Sequence, residues 1–269
     1  MGEQGRGLAT ILEMVNHTRL DCVVGSAALM RQAVAQASHH AAHRSAFGRR
    51  LADQPLMENV LADLAVESEA ATVLAMRVAG AFDRAADDPA EAAVARLATA
   101  VAKYWVCKRA PAVAAEALEC LGGNGYVEES GMPRLYREAP LNSLWEGAGN
   151  INSLDVLRVL ARRPETVTAL LDEVAPARAA EPRLDRAAAA AERELAAADP
   201  AGLQAGARRL VERLAVLLQG ALLVRHGHPA VADAFCASRV AGDHGAAYGT
   251  LPPGLDLPTI VDRATPKVG

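Results

Sequence analysis

Apolar residues recur every three to four positions along most of this chain, a spacing typical of amphipathic helices. The pattern predicts long helices over residues 7–43, 56–84 and 89–121, and a shorter helix over residues 150–162. Asp88 and Pro89 provide an N-cap and a first-position proline for the third helix, and Gly122 provides its stop. Residues 44–55 contain a glycine and end at a proline, so we expect a loop there.

The four predicted helices are joined by short connections, the pattern of an antiparallel four-helix bundle, and the predicted fold class is all-α. After Pro164 the pattern changes, and further helices are predicted over residues 183–198, 202–225 and 229–240. From Gly242 onward glycine and proline dominate, which predicts an extended tail. We therefore divide the chain into a bundle, residues 1–163, and a helical extension with an extended tail, residues 164–269.

Composition narrows the class of protein. Apolar residues make up 51% of the chain and aromatic residues only 3%, and the formal net charge is -4, so no overall basic field favours nucleic acid. The most apolar segment, residues 210–224, is too short and too polar to span a bilayer. The cysteines are widely spaced and no secretory segment precedes them, which predicts reduced, mostly buried thiols in a cytoplasmic protein.

The candidate chemistry is concentrated in residues 119–160, where a glycine cluster, a basic and aromatic segment, and Trp145-Glu146-Gly147 follow one another. On pattern alone, Glu146 also fits a carboxylate that stabilises the start of the next helix. The glycine cluster alone fits a helix stop. It follows a helix rather than a strand, so it is not the fingerprint of a dinucleotide-binding turn.

The order of these elements resembles the C-terminal flavin-binding domain of the acyl-CoA dehydrogenase family, most closely its AidB-like branch. An earlier loop, Arg44-Ser45-Ala46-Phe47-Gly48 followed by Gln54, belongs to the same resemblance. The resemblance covers most of the chain, including the region after Pro164. It implies a helical bundle, an FAD cofactor, and the α,β-dehydrogenation of an acyl-CoA thioester.

At the candidate base, the resemblance implies that Glu146 removes the α-proton of the thioester. Such a base needs a dry pocket, and Trp145, Gly147 and Arg19 are expected to line the substrate site around it. Some members of the family place the base on the first helix instead, in a Glu-Arg-Leu sequence. The matching residues here are Thr18-Arg19-Leu20, and threonine cannot be that base.

At the glycine cluster, the resemblance implies that Gly122 and Gly123 pack against FAD bound mainly to a neighbouring subunit. The family usually has glutamine three residues before the first glycine, where this chain has Glu119. A carboxylate near a pyrophosphate is repelled unless it is turned away or paired. Asn150 is expected near the adenosine end of FAD, and Ala148 replaces a usual threonine, which removes one hydroxyl contact.

In the loop after the first helix, the resemblance implies that Arg44, Phe47 and Gln54 reach the FAD of a partner subunit. A guanidinium can pair with phosphate, and an aromatic ring can pack on an apolar cofactor face. On pattern alone, a solvated arginine and a core phenylalanine are the alternatives. His39 and His43 lie four positions apart on a helix, but no third ligand is evident in the sequence, so no metal site is predicted.

Complete members of the family carry an N-terminal helical domain and a middle β-domain before this one. We therefore expect the chain to be inactive alone and, when complete, to take an acyl-CoA-type substrate as a homo-dimer or homo-tetramer with FAD shared between subunits. One alternative is an AidB-like, DNA-associated role in alkylation stress, which the net charge does not favour. It would use the arginines Arg158, Arg162, Arg163, Arg208, Arg209 and Arg213. The other is a structural oligomerisation module.

Overall fold

The computed structural model describes residue 5, residues 7–197 and residues 200–267, and this part of the chain confirms the all-α fold class. The elements, in chain order, are α1 (Gly7–His43), β1 (Ser45–Ala46), β2 (Arg49–Arg50), a 3-10 turn (Leu51–Asp53), α2 (Pro55–Arg84), α3 (Pro89–Glu119), α4 (Gly123–Tyr126), a 3-10 turn (Glu128–Ser130), α5 (Met132–Glu138), α6 (Leu141–Leu144), α7 (Gly149–Arg162), α8 (Glu165–Arg178), α9 (Pro182–Ala197), α10 (Pro200–His226), α11 (Pro229–Phe235), a π-turn (Cys236–Val240) and α12 (Leu257–Ala264).

Helices α1, α2 and α3 pack against one another, with α2 antiparallel to both α1 and α3, and α7 packs against α3. The direction is visible near one end of the bundle, where the His17 ring of α1 lies 4.9 Å from the Phe82 ring of α2. Apolar side chains and many alanines fill the space between the helices, so the backbones approach closely. The four predicted bundle helices are therefore present.

The start of α3 confirms the predicted cap. The Asp88 carboxylate accepts hydrogen bonds from the backbone N–H groups of Ala90 at 2.8 Å and Glu91 at 3.4 Å, and Pro89 occupies the first turn. At its other end α3 stops at Glu119, and Gly122 takes a left-handed φ of 58° that ends the helical path.

The extension contains the predicted helices as α9, α10 and α11, although the predicted end at Ala198 lies outside the described residues. It also contains α8, which the sequence analysis did not predict. The tail prediction is partly wrong. Residues 242–256 form no regular helix, but α12 follows, with the Asp256 side chain accepting from the Thr259 N–H at 3.2 Å.

A buried ionic cluster joins this tail to the bundle. The Glu67 carboxylate accepts two hydrogen bonds from Arg109, each at 3.0 Å, and another from Arg239 at 3.0 Å. Arg109 also donates to the Tyr248 hydroxyl at 2.8 Å, and the Gly249 N–H donates to Asp63 at 2.8 Å. The apolar core also runs from the bundle into the extension. The boundary at residues 163 and 164 stays a prediction.

All four cysteines are free and buried, as the sequence predicted. Burial raises the pKa of the Cys107 thiol to about 11 and that of Cys120 to about 12. Thiols of this kind stay protonated at neutral pH and are poor nucleophiles. Among the described helices, none combines the length and the apolar character that crossing a bilayer requires.

Candidate functional site

Glu146 lies in a strained turn between α6 and α7. Its φ is 55°, and the φ of Gly147 is 98°, so two consecutive residues adopt the left-handed region. At Gly147 an added Cβ would lie 2.9 Å from Cγ2 of Ile151, which explains the glycine. A non-glycine residue in this conformation costs about 1–3 kcal/mol, so the surroundings must hold it there.

Two buried cations hold the backbone of this turn. Arg19 of α1 donates from Nε to the carbonyl oxygen of Glu146 at 3.0 Å. Lys103 of α3 donates from Nζ to the carbonyl oxygens of Asn142 at 2.5 Å and Gly147 at 3.3 Å. The Asn152 side-chain amide also donates to the Gly147 carbonyl. Charge-assisted hydrogen bonds therefore fix the chain on both sides of Glu146.

Asp155 of α7 orients Arg19. The Asp155 carboxylate accepts from Arg19 at 2.8 Å, from Arg96 at 3.0 and 3.2 Å, and from Arg158 at 3.1 Å. Burial alone would raise the pKa of Asp155, but the Arg96 and Arg19 guanidiniums outweigh it and hold the pKa below the ordinary carboxyl value. Arg19, expected to line the substrate site, is buried at 8% exposure, bound to the Glu146 backbone.

The surface around the turn is apolar and exposed. Glu146 itself is half-buried, whereas Trp145 is 52% exposed and Leu144 and Ile151 are also exposed. Leu8 and Ile11, near the start of α1, are exposed as well. A contiguous apolar patch of this kind marks a surface that binds a ligand or another protein surface.

A second group of predicted residues lies on the hairpin after α1. Phe47 is at its tip with a φ of 52° and is 96% exposed, which excludes the core position that the pattern alone allowed. The Gln54 side-chain amide donates to the Ala46 carbonyl at 3.1 Å and so fixes the hairpin. Arg44 is exposed at the base. A strained turn that presents an aromatic ring to solvent is typical of a binding surface.

The glycine cluster follows the end of α3. Gly122 and Gly123 are exposed, and a Cβ built on either would meet no atom of the chain within 4 Å. A ligand can therefore approach their backbone. Gly125 is buried, and a Cβ there would lie 2.0 Å from the Leu118 carbonyl oxygen, so it is required for packing. Glu119 is exposed nearby. An adjacent groove of about 680 Å³ is lined by residues including Leu118, Tyr126 and Tyr136.

The structure separates these residues into two regions. Arg19 and Arg44 are joined by a continuous stretch of α1, which sets them about 37 Å apart along the axis. The hydrogen bond between Arg109 and Glu67 shows that these residues stand at the same height on the antiparallel helices α3 and α2. The end of α3 therefore lies near the start of α2, which is also the end of the bundle that carries the hairpin. The Glu146 region contains Arg19, Trp145, Glu146, Gly147 and Asn150. The hairpin region contains Arg44, Phe47, Gln54, Glu119, Gly122 and Gly123.

Lys103 and Asp155 were not among the residues that the sequence indicated. The available signal for Lys103 was a charge inside an apolar helix, in a chain with lysine only at positions 103, 108 and 267.

Some of the other predicted residues form hydrogen bonds or ion pairs with residues of this same chain. Asn150 accepts from Arg208 at 2.9 Å, and two more of the six arginines of the DNA alternative, Arg158 and Arg213, are in ion pairs.

Comparison with known proteins gives the class of this chain. Residues 5–161 match the family model described as acyl-CoA dehydrogenase, C-terminal domain, and the chain belongs to this family. It is 43% identical over 237 residues to the putative acyl-CoA dehydrogenase AidB of Escherichia coli (strain K12), which covers 88% of this chain and 43% of that protein.

Solved structures show the same architecture. Caenorhabditis elegans ACDH-11, in complex with C11-CoA, superposes with a TM-score of 0.77 at 29% identity and covers 90% of this chain and 44% of its own. An acyl-CoA dehydrogenase complexed with FAD from Bacillus anthracis has a TM-score of 0.66 at 21% identity over 89% of this chain and 48% of its own, which shows the fold alone. The chain spans less than half the length of these relatives.

Proposed function

We propose that this chain supplies the catalytic base and part of the flavin-contacting surface of an acyl-CoA dehydrogenase-type flavoprotein. Glu146 removes the α-proton of an acyl-CoA thioester. The observation that carries the proposal is the left-handed Glu146 turn, which Arg19 and Lys103 fix at an exposed apolar surface. Strain that is held by buried charges and placed at a binding surface is typical of functional sites.

The hairpin region fits FAD in its chemistry. Phe47 offers an exposed aromatic face, Arg44 offers a guanidinium, and Gly122 and Gly123 offer accessible backbone. A flavin nucleotide needs partners of these kinds for its rings and its pyrophosphate. When bound, FAD supplies the acceptor for the β-hydride of the substrate. Membership of the acyl-CoA dehydrogenase family supports this cofactor, and the relative solved with C11-CoA supports an acyl-CoA substrate class.

The separation of the two regions supports a site shared between copies of the chain. The hairpin of one copy would hold the flavin that reacts beside Glu146 of another, in a homo-dimer or homo-tetramer. The relatives are more than twice as long as the region matched, so further protein would enclose the substrate. We therefore expect turnover only when this chain is joined to those parts. The Glu119 contact, the role of Asn150 and the cytoplasmic location stay predictions.

Replacing Glu146 tests the proposal. We would join the chain to the portion of the E. coli relative that precedes the matched region, and measure anaerobic flavin reduction by acyl-CoA thioesters. We expect Glu146→Gln to lower the reduction rate by about a hundredfold or more, because the amide cannot accept the α-proton. Glu165→Gln, an exposed change at the start of α8 and outside both regions, serves as the control. Unchanged reduction in Glu146→Gln would exclude Glu146 as the base.

A further inference from the structure

The Lys103 ammonium group lies beneath the Glu146 turn. Lys103 is 1% exposed, and its two carbonyl acceptors, Asn142 and Gly147, stand on either side of Glu146. The Asn142 side chain in turn donates to Ser26 of α1 at 3.1 Å and accepts from the Trp145 indole at 3.1 Å. One buried charge thus connects both ends of the strained segment to α1 and α3.

We propose that Lys103 is a positioning residue for Glu146, whose ammonium group holds the Asn142 and Gly147 carbonyls and so stabilises the left-handed conformation of the turn. The inference rests on the proposed function, because it concerns how the base is placed. Without these bonds the strain at Glu146 favours relaxation to a negative φ, which moves the carboxylate away from the substrate.

Lysine suits this position better than arginine. The chain has 28 basic residues and uses lysine at only three positions, so the choice at residue 103 is unusual for this sequence. A compact ammonium group can direct its donors to two carbonyls that converge on it, whereas the planar fork of arginine matches a flat carboxylate. Arg19 differs from Lys103 in this respect, because its guanidinium donates to the Asp155 carboxylate and to only one carbonyl, that of Glu146.

The surroundings of Lys103 also predict a pH response. Burial lowers the pKa of Lys103, the neighbouring Arg19 lowers it further, and Glu146 and the Cys22 and Cys107 thiols oppose the change. The neutral amine donates more weakly than the ammonium. The turn should therefore loosen at a lower pH than an ordinary lysine would require. Trp145 can report this loosening in a Trp105→Phe background, since the chain has two tryptophans.

The first test measures amide hydrogen exchange in this chain. In Lys103→Met we expect exchange over residues 142–152 to become about tenfold faster or more, because charge-assisted bonds are lost. Exchange in α1 and α2 should stay unchanged. Lys103→Gln keeps a donor without the charge and should lie between wild type and Lys103→Met. Lys267→Met, which removes an exposed lysine, is the control. The alkaline change in Trp145 fluorescence should vanish in Lys103→Met.

The second test uses the joined protein and separates binding from chemistry. We expect Lys103→Met to lower kcat by about tenfold to a hundredfold with KM unchanged, because the base is misplaced while the substrate surface remains. If Lys103→Met does not fold, Lys103→Gln decides, and it should show a smaller fall in kcat and intermediate exchange.

Three results would overturn the inference. The first is unchanged amide exchange over residues 142–152 in the folded Lys103 variants. The second is exchange that becomes faster by the same factor in all helices. The third is a raised KM with an unchanged kcat in Lys103→Met. The Glu146→Gln result keeps the two proposals apart. An active Glu146→Gln protein contradicts the proposed function, whereas an inactive one beside a Lys103→Met protein with normal kcat contradicts only the positioning role.

Discussion

At the scale of single residues, Asp155 determines how firmly the Glu146 turn is held. Its carboxylate is shared by Arg19, Arg96 and Arg158, but only Arg19 continues to the Glu146 carbonyl. The other two arginines saturate the remaining lone pairs of the carboxylate. Arg19 therefore has little freedom to turn towards solvent, and the Glu146 backbone is fixed by a group on the helix that follows it.

Asp155→Asn should lower the free energy of unfolding by about 2 kcal/mol at neutral pH, because a buried charge-assisted network loses its charge. The folded-state pKa of Asp155 is depressed, so its contribution is present above the unfolded pKa and is lost as pH falls through the folded pKa. The gap between wild type and Asp155→Asn should shrink in acid. Urea unfolding at several pH values checks this, with the exposed Asp262→Asn as control. A gap independent of pH would contradict it.

The residue scale also shows the limits of sequence reasoning. The family resemblance identified Glu146 and its neighbours, because these residues form one contiguous motif. It expected Arg19 at the substrate site but did not indicate its bonds to the Glu146 carbonyl and to Asp155, because these partners lie 127 and 136 positions away along the chain. Lys103 was not predicted because its acceptors are backbone carbonyls, which any residue provides and which no sequence motif marks.

At the scale of elements, the helices that the sequence predicted are those with long apolar patterns or clear caps. Helix α8 follows Pro164 and contains Pro176, and both prolines indicate breaks in a sequence. The helix forms because Leu170 and Val174, on one face, pack into the core. Helix α12 is only eight residues long, too short to be stable alone, and it is stabilised by docking against α2. The sequence prediction included neither its cap, the Asp256 carboxylate, nor the docking that stabilises it.

The buried ionic cluster around Glu67 should control whether the tail, residues 242–264, stays docked against the bundle. In Glu67→Gln, Arg109 loses its carboxylate partner and Arg239 keeps only Asp63, so we expect a loss of about 3–5 kcal/mol in unfolding free energy. Proteolysis within residues 242–264 should become faster. Glu69→Gln is the matched control, because Glu69 joins α2 to the tail through the more exposed Arg263 and should cost less than about 1 kcal/mol. Equal effects of the two changes would refute a special role for the cluster.

At the scale of the whole molecule, α1 acts as a rigid spacer between the two candidate regions. It is one helix of 37 residues that packs against α2 and α3, so no rotation within the chain can bring the hairpin to the Glu146 turn. The sequence contains both motifs in order. Their separation follows only once the stretch between them is known to be a single unbroken helix.

This spacing has a genetic consequence. Two defective alleles, one encoding Glu146→Gln and one encoding Arg44→Ala with Phe47→Ala, should rescue each other when co-expressed as complete proteins. A mixed dimer would combine the intact hairpin of one product with the intact base of the other. Random pairing then restores about a quarter of wild-type turnover. If both halves of a site came from one chain, the two alleles together would remain null, so a simple cross distinguishes the arrangements.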